Sequence, residues 1–254
     1  MSTKILIASA KKWQMQNIVN KFILCQISAE ATDTFVSKTT KHIDILKYHN
    51  MLFNYKNNKI FAFSDSHGLH KHIDIPHDTD ITICLGDAVE DNLDPHDYDD
   101  FLNWFAGQPG KKFFLPGNHE LIFEIAPKWG ELLFNSDDIK LCLDSLEVIN
   151  GISLYFQASN FMHLSLPKGV DILLTHYPPE IYEYVGENRP VRHLYGHIHE
   201  NEGAEYMDDH THYNNVCCYN HCKETLREKI SNSIRTVRAR RNKRRDEDVQ
   251  RTEE

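Results

Sequence analysis

Five short polar motifs stand in fixed order between residues 65 and 199: Asp65-Ser66-His67, Gly86-Asp87, Gly117-Asn118-His119-Glu120, Thr175-His176 and Gly196-His197-Ile198-His199. Each directly follows an apolar, β-branched or aromatic run: KIFAFS (59–64), ITICL (81–85), KFFLP (112–116), VDILL (170–174) and VRHLY (191–195). Short buried strands that end in polar turns are the arrangement by which an α/β fold gathers side chains at the carboxyl ends of its strands. Together the motifs supply enough nitrogen and oxygen donors for two metal ions.

The remaining pattern is consistent with an α/β sandwich running from residue 59 to about 220. Met51–Tyr55 and Lys59–Phe63 flank Asn57-Asn58, a hairpin signal because Asn tolerates positive φ. Asn150-Gly151 between Leu146–Ile149 and Ile152–Phe156 is a second hairpin signal. Asp97–Ala106 reads as a helix with acidic residues in its first turn, and Glu120–Leu133 as another that Pro127 and Gly130 break or bend. Strands are expected at Gly203–Met207 and Asn215–Tyr219. Ahead of the motifs, a strand at Lys4–Ala8 and a helix over Lys11–Ile27 carry none of the chemistry.

The 254 residues suit one substantial core with polar extensions, as does a hydrophobic content of 41%. A net charge of −9 argues against a generally basic surface for nucleic acid. Basic residues concentrate instead in IRTVRARRNKRR (234–245), within a tail that reads as a solvated helix fraying into disorder or, alternatively, as a tether for an anionic polymer. The six cysteines are irregularly spaced, Cys84 and Cys142 sit inside apolar runs where a free thiol acts as a small hydrophobe, and a reducing compartment is expected. A zinc site at Cys217-Cys218-Tyr219-Asn220-His221-Cys222 is disfavoured, because adjacent residues on a strand point to opposite faces. No apolar stretch approaches the length of a membrane span, so a soluble, cytoplasmic protein without membrane partners is expected.

A dinuclear centre needs an oxygen ligand shared by both ions, with imidazoles that suit iron, zinc, manganese or nickel. Asp87 is the natural bridge, and Gly86 lets the chain turn where a Cβ would crowd the site. Asp65 and His67 follow the first strand. Asn118 offers a neutral oxygen, while His119 beside it can face the leaving oxygen of a substrate and donate a proton. Glu90 is a candidate acceptor to orient His119. Two ions about 3.5–4 Å apart activate a bridging water for in-line attack and clamp phosphoryl oxygens, which implies hydrolysis of a phosphate ester. Ser64 and Ser66 read as turn hydroxyls. The other histidines default to surface or packing roles, with His70 and His72 the nearest to the first motif.

Over residues 58–220 the chain resembles the calcineurin-like metallophosphoesterase superfamily, whose pattern is Asp-x-His, Gly-Asp, Gly-Asn-His-Asp/Glu, His and Gly-His-x-His. The resemblance implies two mixed sheets sandwiched by helices. It implies a first metal held by Asp65, His67, Asp87 and His199, a second held by Asp87, Asn118, His176 and His197, and catalysis by His119 with Asp87. The hairpin near residue 50 and the charged stretch beyond Lys223 set the expected domain limits at 51–222, with an N-terminal extension (1–50) and a charged C-terminal helix or disordered tail (223–254). DxHG at Asp65–Gly68, DFLNWFA before GNHE, VINGISLYF, LLTHYPP and GHIHENEG resemble the branch of metallophosphoesterase-domain-containing proteins. Some relatives in that branch lack the first histidine of the last motif; this chain keeps His197, which favours an active enzyme. Protein Ser/Thr phosphatases of the superfamily carry Asp-Arg where Glu90-Asp91 stands here, so a phosphate-clamping arginine is missing at that point. Ala158–Phe161 replaces a Gly-Ser-Pro-Trp segment, and Tyr177 replaces a small residue.

The leading expectation is a metal-dependent phosphodiesterase or phosphomonoesterase acting on a small phosphate ester such as a cyclic nucleotide. A nuclease using the basic tail is the runner-up. A nucleotide-binding or regulatory protein with little turnover is the third reading, and the state of assembly is left open.

Overall fold

The computed structural model describes residues 51–90, 95–159 and 163–253, with side chains of the last helix described through Thr236. The expected strand and helix within residues 1–50 lie outside the described residues. Two mixed sheets form a sandwich, as expected for the α/β class. The first has five strands in the order β1 (Leu52–Tyr55), β2 (Asn58–Phe63), β3 (Ile81–Cys84), β4 (Lys111–Phe114) and β5 (Ile139–Leu141). β1 pairs antiparallel with β2, and every later pair is parallel. The second sheet takes β6 (Ser145–Ile149), β7 (Ile152–Gln157), β9 (Ile172–Thr175), β11 (Arg192–Tyr195), β12 (Glu205–Met207) and β13 (His212–Asn215) in the order β12-β13-β11-β9-β7-β6. β8 (His163–Leu164) and β10 (Glu183–Tyr184) form a separate parallel pair.

Local chemistry explains the elements. The first hairpin turns on Lys56-Asn57, both at positive φ, one residue earlier than Asn57-Asn58. The second turns on Asn150 and Gly151 at φ 50° and 77°, the two-residue geometry whose twist matches its strands. β2, β3 and β9 are buried on both faces, which is why their sequences are apolar without alternation. Helix α1 (Pro95–Ala106) places Phe101 and Phe105 against Phe63 and Phe114, and Phe113 meets Phe156 across the sandwich at 5.6 Å.

Two expectations require correction. The helix expected over Glu120–Leu133 breaks at Pro127 as expected, into α2 (Ile122–Ile125) and α3 (Pro127–Phe134), because Pro127 cannot continue the hydrogen-bond ladder, but it begins later and Gly130 lies inside α3 without ending it. Glu120 stands outside both. The strand expected over Asn215–Tyr219 ends at Asn215, whose side chain bonds the carbonyls of Ile198 and Asn201 and the backbone of Cys217, fixing a turn. The long helix α4 (Tyr219–Glu253) then starts at once. Where β2 ends, Ser64 bridges to Cys217, so the sheets approach each other at the carboxyl ends of their parallel strands. Among the described residues no helix is long and apolar enough to cross a membrane.

Candidate metal centre

The first polar motif follows β2, the second β3, the third β4, the fourth β9 and the fifth β11. All are loops at the carboxyl ends of parallel strands, three from one sheet and two from the other. Their side chains converge into three overlapping sets, Asp65–His67–His199, His67–Asp87–His119 and Asp87–His176–His197, each with ligand atoms within 4.8 Å of one another. Asn118 joins them, its Oδ1 lying 3.0 Å from His176 Nε2. All eight residues singled out in the sequence therefore meet in one place, with Asp87 shared between sets.

Convergence requires tight loops. Asp65, His67, Asp87 and His197 have φ of 57°, 43°, 52° and 70°, in the left-handed region that non-glycine residues seldom occupy. Such strain collects where surrounding structure over-determines it. Gly86 is at φ 84°, and a Cβ there would lie 2.5 Å from the Cα of Gly117, so the second and third loops touch only because both are glycine at that point.

The donor set fits divalent cations. His176 Nδ1 lies 2.8 Å from the carbonyl of Leu85 and so carries the proton it donates there. Nε2 lies 3.3 Å from the Asp87 carboxylate, which holds a proton on it when no metal is bound and leaves a lone pair directed at a cation when that proton is lost. Burial alone would lower the pKa of this imidazole, yet the hydrogen bond and charge of Asp87 lift it to about 9. His67 and His199 likewise bring Nε2 atoms to 3.3 Å of one another, with Asp65 Oδ1 3.3 Å from His199. Burial works to raise the Asp65 pKa, but hydrogen bonds from His199, Ser64 and the His197 backbone hold it down at about 2. Burial lowers His67 and His197, favouring the neutral, ligating form.

Of the neighbours of these residues, Glu120 and Tyr219 have no role assigned from the sequence. Glu120 is 1% exposed and accepts N–H bonds from Asp87 (2.9 Å), Ala88 (2.8 Å) and Gly117 (2.6 Å), tying the second loop to the third. Its pKa rises to about 7 through burial and the Asp87 charge, opposed by those three donors. Ser64, read as a turn hydroxyl, donates to Asp65 Oδ2. His119 binds Asp87 through its backbone N–H at 2.9 Å, and its Nε2 lies 3.9 Å from the Asp87 carboxylate. Glu90, expected beside His119, places its carboxylate 3.9 Å from His67 Nδ1. His70 is a packing residue between Phe101 and Trp104, facing Asp100 at 3.4 Å. Tyr177 packs on His176 and His197, and Tyr219 on His67 and His199, so an aromatic ring lies at each flank.

The sequence profile of the calcineurin-like phosphoesterases matches residues 49–201, spanning all five motifs. The chain belongs to the calcineurin-like phosphoesterase family. Membership implies a hydrolase acting on phosphoesters, and the clustered histidines and aspartates are groups that can bind metal. Within this frame other similarities are distant. A probable rhamnogalacturonate lyase C of Emericella nidulans is 24% identical over 181 residues, covering 56% of this chain; the chain spans only 17% of that relative's length. The solved phosphopantetheinyl hydrolase of Mycobacterium tuberculosis superposes with a TM-score of 0.45 at 14% identity, over 63% of this chain and 89% of that one. A protein of unknown function from Aquifex aeolicus gives 0.32 at 13% identity over the same shares.

Proposed function

We propose that this calcineurin-like phosphoesterase hydrolyses a small phosphate ester with two divalent metal ions, and that its substrate is a phosphodiester such as a cyclic nucleotide. The observation that carries the reading is the sharing of Asp87 between two ligand sets, in each of which the nitrogen and oxygen atoms lie within 4.8 Å of one another. Asp65, His67, Asp87 and His199 would hold one ion, and Asp87, Asn118, His176 and His197 the other. Bound there, the ions supply Lewis acidity toward phosphoryl oxygens and lower the pKa of water.

The chain's own residues account for the remaining roles. His119, a quarter exposed, stands at the edge of the set and is oriented through its backbone bond to Asp87, so its ring can donate a proton to a departing alkoxide. Glu120 keeps the Asp87 and Gly117 loops in register without facing substrate. Tyr177 walls the flank of His176 and His197, where the branch of metallophosphoesterase-domain-containing proteins carries a smaller residue; the motif set supports that branch, and His197 supports turnover.

Metal analysis of the purified protein, with hydrolysis of bis(4-nitrophenyl) phosphate in manganese, tests the proposal. Two equivalents of metal and measurable turnover are expected, lost in Asp87→Ala and reduced about 10²- to 10⁴-fold in His119→Ala, the range for removal of a positioned proton donor. Full metal occupancy without turnover would favour a binding role instead. A His119→Ala variant as active as wild type would remove His119 from the mechanism.

A further inference from the structure

The long helix α4 contributes more than a wall. Asn220 Nδ2 donates to the carbonyl of His199 at 2.8 Å, and Glu202 accepts the backbone N–H groups of Asn220 and His221 at 2.6 and 2.9 Å. The first turn is thereby locked to the loop that carries His199. Tyr219, at its start, sets its ring 4.5 Å from that of His199 and 5.0 Å from that of His67. One turn on, Lys223 shares the face of Tyr219, as residues four apart on a helix do. Its Nζ lies 3.8 Å from the centre of the Tyr219 ring. Among the described residues it has no carboxylate partner, and no other lysine or arginine touches a proposed ligand or a ring packed on one.

We infer that Lys223, held by Tyr219, is a specificity residue that binds a second, non-scissile phosphate of the substrate, which narrows the substrate class to phosphate esters carrying a further phosphate and so excludes a simple cyclic nucleotide as the preferred one. Three observations support this. Lys223 meets the ring of Tyr219, which itself packs on His199 and His67, so the ammonium stands one side chain away from the proposed ligands and is suited to a neighbouring group. A cation over an aromatic face keeps its charge while losing part of its freedom to wander, which pre-positions it for an anion. The second loop brings the carboxylate of Glu90 to 3.9 Å from His67, so positive charge must enter from another segment if a second anion is to be bound. This inference rests on the phosphoesterase reading above.

Equilibrium binding to the manganese-loaded protein, measured by titration calorimetry, tests it with two probes differing by one phosphate: thymidine 5′-phosphate and thymidine 3′,5′-bisphosphate. Wild type should prefer the bisphosphate about tenfold, a charge-assisted contact that weakens as salt rises. Lys223→Ala should reduce the preference to twofold or less, while Lys223→Arg retains most of it. Lys229→Ala, a helix lysine beside His72, should keep the wild-type ratio. A wild-type ratio near one, failure of both probes to bind, or a ratio unchanged in Lys223→Ala would overturn the inference. If bis(4-nitrophenyl) phosphate is still hydrolysed in any of those cases, only the role of Lys223 fails. If metal binding and hydrolysis are also absent, the phosphoesterase proposal fails with it.

Discussion

His193 shows how a histidine is kept out of the metal chemistry. It is fully buried next to β9, its Nε2 2.8 Å from Thr175 Oγ1 and its Nδ1 3.3 Å from the Tyr184 hydroxyl. Since Thr175 donates its own proton to the Tyr177 carbonyl, Nε2–H is the donor to Thr175 and Nδ1 accepts from Tyr184. The neutral ring is satisfied at both nitrogens, and burial lowers its pKa to about 3. A depressed histidine pKa stabilises the fold above 6.5, the unfolded value, and that contribution is lost as pH falls from 6.5 toward 3. Urea unfolding should therefore lose about 1.4 kcal/mol per pH unit below 6.5 from this residue. The loss is read as the difference between wild type and His193→Gln, and parallel pH profiles would count against it. The packing role expected by default for the histidines outside the motifs holds here, and position separates the two kinds: His193 lies inside the run VRHLY, whereas His176 follows VDILLT at its end. Glu120, by contrast, was hidden. Gly117 is in its own motif, but its other two N–H partners, Asp87 and Ala88, lie 33 and 32 residues away, and no local pattern announces them.

At the scale of elements, the parallel strands and both hairpins were legible because each run of buried residues stops at a polar motif or an Asn-containing turn. The end of β13 and the start of α4 were not, since Cys217 and Cys218 read as strand residues. Their burial instead comes from the Ser64 bridge and from packing of Cys218 against Cys222 one turn along the helix. That misplacement also concealed Tyr219, which reaches the site from 20 positions beyond His199. The helix carries the basic 234–245 stretch away from the centre: fifteen residues separate Tyr219 from Ile234, about 22 Å at the helical rise. Truncation after Thr236 is accordingly expected to leave kcat/KM for bis(4-nitrophenyl) phosphate within twofold of wild type. The same truncation should alter KM for single-stranded DNA only if the tail holds a polymer, and an unchanged value would eliminate a nuclease tether.

For the whole molecule, the two sheets are joined at the end where their loops carry nitrogen and oxygen donors, so cation binding and folding should be coupled. At free manganese one hundred times its dissociation constant, one site adds about 2.7 kcal/mol to the folded state, which raises Tm by roughly 5–10 °C for a domain of this size. Thermal unfolding with manganese and with chelator measures this, and equal midpoints would show that the donor cluster does not bind metal in the folded protein. The left-handed backbone at Asp65, His67, Asp87 and His197 gives the coupling a second aspect. At such angles glycine is the residue the main chain favours, so His197→Gly should leave a metal-free protein more stable than His197→Ala does. Selection for thermostability alone, without a demand for turnover, would erode these four positions first, and their retention as aspartate and histidine is a cost that stability by itself gives no reason to keep.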